Sequence, residues 1–98
     1  MIEKYVLMLP DETVFAIKFV WEKREVTIGG KAKLYNLIEE LIKDYFECNV
    51  PEIKFSQVNK CRYVLKNITN DRFLKAKRNL EKANFVVEKV NSLGTIMR

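Results

Sequence analysis

Apolar residues alternate with polar ones near the start of the chain and recur every three to four positions in two later segments. The first period is that of a strand, the second that of a helix lying on a core. Tyr5 to Leu9 is a short apolar run closed by Pro10. Pro10-Asp11-Glu12 is a turn signal, because proline fixes φ and an Asp side chain bonds to nearby backbone. Thr13 to Trp21 then sets Thr13, Phe15, Ile17, Phe19 and Trp21 on one face and Val14, Ala16, Lys18 and Val20 on the other. Both faces are largely apolar, which predicts an interior strand with its aromatic side covered. The two runs predict a hairpin, and Glu25 to Ile28 adds a short third strand ahead of Gly29-Gly30.

Lys31 to about Cys48 carries the clearest helical pattern. At ~100° per residue, Leu34, Leu37, Ile38, Leu41, Ile42, Tyr45 and Cys48 share one side. Glu39, Glu40, Asp44 and Glu47 form an acidic exterior, read as a solvated face rather than a carboxylate site. Pro51 is the expected stop. Ile53–Val58 and Cys61–Ile68 read as strands joined at Asn59-Lys60, since Asn tolerates positive φ. Thr69 or Asn70 caps a second helix with Phe73, Ala76, Leu80 and Ala83 inward. Phe85–Val90 is a last strand, and Ser92-Leu93-Gly94 turns into a short tail.

From Thr13 onward this order is βαββαβ. It predicts an α+β, ferredoxin-like antiparallel sheet with two helices on one face. The extra N-terminal strand of the hairpin would extend one edge. The 98 residues fit a single domain, 1–98, and 48% hydrophobic content supplies a core without metal or disulfide staples.

Charge sharpens the picture. Between Lys60 and Lys82 eight bases face only Asp71 and Glu81, whereas residues 1–59 carry eight bases against ten acids. Such a field attracts a polyanion or an acidic protein. Lys75, Arg78 and Lys82 share the outer side of the second helix, with Arg72 on a flank and Lys60, Arg62 and Lys66 on the strand before it. Tyr63, among those strand cations, joins Phe15, Phe19 and Trp21 as rings able to stack on bases if the sheet face is open. The Lys60–Lys66 segment lacks the glycine and paired aromatics of the RNA-recognition signature. Gly29, Gly30, Lys31 and Lys33, at the expected helix start, form a further candidate anion site.

Enzyme chemistry finds no foothold. The chain has no His, no Gly-Lys-Ser/Thr loop and no Gly-x-Ser-x-Gly elbow. Cys48 and Cys61 are too few for a zinc site without His, so no metal or cofactor is expected. The opening Met-Ile-Glu-Lys-Tyr-Val is not a secretory signal, and no apolar stretch approaches a membrane span, which predicts a cytoplasmic protein away from membranes. The leading expectation is a non-enzymatic module binding RNA or DNA through the 60–82 patch. The alternative is a protein-binding module, which would dock on an acidic surface or dimerise by strand addition. It could also be a small viral or mobile-element inhibitor of a nucleic-acid-handling protein.

Overall fold

Six strands form one antiparallel sheet in the order β4-β5-β3-β2-β1-β6, shown by a computed structural model that describes residues 1–11 and 13–91. The strands are β1 (Ile2–Met8), β2 (Val14–Val20), β3 (Glu25–Lys31), β4 (Lys54–Phe55), β5 (Lys60–Leu65) and β6 (Val86–Val90). A turn of 3-10 helix, Ala32–Leu34, leads into α1 (Tyr35–Asp44), and α2 (Asn70–Lys82) connects β5 to β6. The fold is therefore α+β with two helices, as the periodicities predict. The expected turn at Ser92-Leu93-Gly94 lies outside the described residues.

The strand order departs from the plain ferredoxin-like order. There, the strand from Thr13 would pair with both of the later strands. Here β2 is enclosed by its own neighbours, β1 and β3. β5 pairs with β3, and β6 closes on β1. The N-terminal strand is thus internal, and β6 is the edge. The cause is β3, which runs the full Glu25–Lys31 through both glycines and claims the side of β2 that β5 would need.

One face of the sheet holds the core. Tyr5, Leu7, Phe15, Ile17, Phe19, Val26, Ile28, Cys61, Tyr63 and Leu65 alternate inward along their strands and are buried. Ile38, Leu41 and Ile42 of α1 and Phe73, Ala76 and Leu80 of α2 join the same cluster, so both helices cover this one face. Phe73 sits at its centre, 4.5 Å from Phe19 and 5.3 Å from Tyr5 between ring centroids. Ala83, expected inward, is the exposed C-cap.

Several boundaries differ from the sequence pattern: β3 runs on to Lys31 rather than stopping at Ile28, and β5 ends at Leu65 rather than Ile68. α1 spans Tyr35–Asp44 rather than Lys31 to about Cys48, and Glu47 just beyond it has φ 54°. β4 is only two residues long, because Ser56 N–H bonds to Lys60 C=O and the chain turns through Asn59 at φ 56°. The α2 cap is Thr69, whose Oγ1 accepts from Arg72 N–H at 3.3 Å. Cys48 and Cys61 are both free thiols, and burial pushes the Cys61 thiol pKa up. Among the described residues no helix is long and apolar enough to cross a membrane.

Candidate functional site

Alternation that buries the odd positions of β5 turns Lys60 and Arg62 to the opposite, helix-free face. The 60–82 cations therefore do not share one wall. Lys75, Arg78 and Lys82 lie on the exterior of α2, across the sheet from Lys60 and Arg62. Lys66, past the end of β5, borders a depression shared with Glu47, Cys48 and Arg72.

Several of these side chains have other tasks. The Arg72 guanidinium donates to the carbonyls of Phe46 at 2.7 Å and Glu47 at 3.3 Å, tying α2 to the end of α1. Lys75 pairs with Glu47 at 3.6 Å. Tyr63 is fully buried and donates its hydroxyl to Glu39 Oε2 at 2.6 Å, so it offers no ring to a base. That bond also removes Glu39 from the solvated acidic face expected of α1. Phe15 and Phe19 are core, and Trp21 stacks on Phe19 at 4.9 Å. The stacking platform expected from Phe15, Phe19, Trp21 and Tyr63 thus faces the helices.

The glycine site also takes a different form. Gly29 and Gly30 lie within β3, where Gly29 is opposite Ala16 and Arg62, and Gly30 is opposite Cys61. Their backbone belongs to sheet ladders rather than to a loop cradling an anion at a helix start. The Ala32 N–H that follows is taken by Asn59 C=O at 2.8 Å. Lys33 is exposed in the 3-10 turn, apart from the strand.

What the register does assemble is a basic trough on the helix-free face. Lys4 stands opposite Lys18, Lys31 opposite Lys60, and Lys54 opposite Arg62. Each is a cation–cation cross-strand pair, and each points away from the core. Like charges directly opposite destabilise a sheet by roughly 0.2–1 kcal/mol per pair. Between them the floor drops at Ala16 and Gly29, paired residues with almost no side chain. A trough of about 730 Å³ opens there, lined by Val14, Ala16, Gly29, Gly30, Lys31, Lys54, Phe55, Ser56, Val58, Lys60, Cys61 and Arg62. Four of these are bases and none is an acid. A second depression of about 380 Å³ shares Ala16 and Gly29 and continues toward Lys4 and Lys18. The face does carry Glu25 and Glu88, but neither lines either depression. Apolar side chains stand near the cations: Val14 is 48% exposed and Val58 69%.

Lys31, Lys60 and Arg62 of this trough are visible as candidates in the sequence. Lys4, Lys18 and Lys54 are not, although Lys18 already occupies the face of its strand opposite the aromatics. Among the described residues no group of three His, Cys, Asp or Glu side chains is placed to hold a metal. Compared with known proteins, the chain matches no family model, no curated protein and no solved structure.

Proposed function

We propose that this chain is a non-enzymatic module that binds nucleic acid by its phosphate backbone across the helix-free face of the sheet. The carrying observation is the set of three cation–cation pairs around a trough whose lining has no acid. A fold that holds like charges opposite one another accepts repulsion that an anion turns into attraction. A row of phosphates meets that need, and each neutralised phosphate also releases condensed counterions. The contact is electrostatic and weakly sequence-specific. We read the frame as ferredoxin-like, with the meander β1–β3 standing where one strand would. Omitting β1 and β2 leaves β4-β5-β3-β6, which supports that reading.

The test compares two faces by fluorescence anisotropy on a labelled oligonucleotide at low salt. Lys54→Glu with Arg62→Glu is expected to weaken binding roughly tenfold or more. Lys75→Glu, Arg78→Glu and Lys82→Glu together change net charge further, yet are expected to do less, because α2 lies on the other side. The opposite ranking moves the interface to α2. A wild-type chain that binds no nucleic acid at low salt ends the reading.

One observation favours a second reading, a protein partner. The outer edge of β6 pairs with no strand among the described residues, and Val86 on it is 45% exposed. A strand from a partner or a second copy could add there. An acidic protein could meet the same cations as a phosphate chain. Retention of one stoichiometric protein on the purified chain after nuclease treatment supports this reading over the first.

A further inference from the structure

We propose that the trough is a binding site for a compact polyphosphate, a small ligand whose linked phosphates carry several charges close together. Such a ligand shares the face read above as a nucleic-acid surface, and it binds there whether or not that reading holds. The spacing of the cations points to it. Lys54 and Arg62 stand opposite each other on β4 and β5, and Lys60 and Lys31 on β5 and β3. Lys60 and Arg62 are next-but-one neighbours along β5, so the two pairs take adjacent same-face positions on three neighbouring strands. Opposed residues are ~5 Å apart and diagonal ones ~7–8 Å, so each of these cations has at least two others within about a Debye length. Lys4 and Lys18 stand apart, beyond the Ala16–Gly29 floor.

A nucleic acid is the sparser partner for such a cluster. It carries one charge per phosphate and sets a whole sugar between successive phosphates, which suits a spread row. A triphosphate chain joins its phosphates through single oxygens, so one ligand meets all four cations together. The trough supplies the enclosure. Its volume of about 730 Å³ falls within the ~300–1,000 Å³ of ligand pockets, and no acid lines it. Among the described residues no carboxylate pairs with Lys31, Lys54, Lys60 or Arg62. A Cβ added to Gly29 would stand 3.7 Å from Arg62 Cβ, so glycine keeps the space beside that arginine clear. Arg62 brings a planar fork of donors that matches phosphate oxygens, and the three lysines bring movable point charges.

Isothermal titration with sodium tripolyphosphate, ATP and orthophosphate at one fixed ionic strength tests this. The proteins are wild type, Lys54→Glu/Arg62→Glu, Lys31→Ala/Lys60→Ala and Lys75→Glu/Arg78→Glu/Lys82→Glu. All these positions are exposed, so folding is expected to survive, with circular dichroism as the check. Wild type is expected to bind tripolyphosphate roughly tenfold or more tighter than orthophosphate, because several charges act at once. Both trough variants should lose much of that affinity, and the α2 variant little, although it removes the most positive charge. ATP tighter than tripolyphosphate names a nucleotide as the source of the chain, and ATP no tighter names a free polyphosphate; either supports the site. Tripolyphosphate no tighter than orthophosphate, full retention in both trough variants, or an equal loss in the α2 variant overturns it. Labelled oligo-dT separates the two readings. A chain that binds oligo-dT and not tripolyphosphate keeps the nucleic-acid reading and loses this site, and the converse result does the reverse.

Discussion

A Cβ added to Gly30 would stand 3.0 Å from Phe15 Cδ1 and 3.6 Å from Ile38 Cδ1. Both neighbours are buried and have little room to withdraw. Gly30→Ala is therefore expected to overpack the core and cost ~1–3 kcal/mol, seen as a lower urea midpoint at unchanged slope. Tyr5 and Tyr63 set a second residue-scale expectation. Burial raises both phenol pKa values above the usual range, and the bonds to Glu3 and Glu39 raise them further. The folded chain thus keeps protons that the unfolded chain loses. Their contribution is complete below about pH 10, the unfolded phenol value, and drains away as pH climbs beyond it. Tyr5→Phe with Tyr63→Phe should flatten this alkaline limb in a pH series of unfolding midpoints. A limb as steep in the double variant would assign it to other groups.

The elements show where sequence patterning works and where it stops. β1, β2 and α2 follow their periods, and the Thr69 cap and the positive φ at Asn59 are legible from residue type alone. The helical pattern runs past the end of α1 because the buried positions do not stop with the helix. Phe46 is buried and Tyr45 and Cys48 pack against the core, although the helix closes at Asp44. Gly29-Gly30 looked like punctuation, whereas a strand needs glycine where Phe15 presses on its backbone. Arg72 looked like part of a binding ridge, yet two carbonyls from the end of α1 hold its guanidinium. Its removal leaves those acceptors open, so Arg72→Ala is expected to lose ~1.5–3 kcal/mol, the range for charge-assisted bonds. Both bonds leave from the single Nη2, so Arg72→Lys should recover part of the loss where its ammonium reaches either carbonyl. Nucleic-acid affinity should stay put in both variants, and a large drop there without a stability change would return Arg72 to the interface.

At the scale of the whole molecule, the site exists only once the strand order is known. Lys31 meets Lys60 because β5 docks on β3, whereas Lys4 meets Lys18 within the β1–β2 hairpin. The first pairing does not follow from local pattern, and charge counted along the chain points instead to a run that the sheet divides between two faces. With strands ~4.8 Å apart, cations from β4 to β1 span roughly 19 Å, a length suited to several consecutive phosphates. Each phosphate of a single strand contributes ~0.7 to the slope of log affinity against log salt, so six cations set a ceiling near −4. Lys4→Ala with Lys18→Ala removes the far end of the row and should cut the slope by roughly 1.4 while the trough stays intact. Lys75→Ala, Arg78→Ala and Lys82→Ala should leave it unchanged, because counterions around α2 are not displaced by a ligand on the other face. If instead the α2 variant flattens the slope and the Lys4/Lys18 variant does not, the polyanion runs over the helices and the cation pairs on the sheet are merely tolerated.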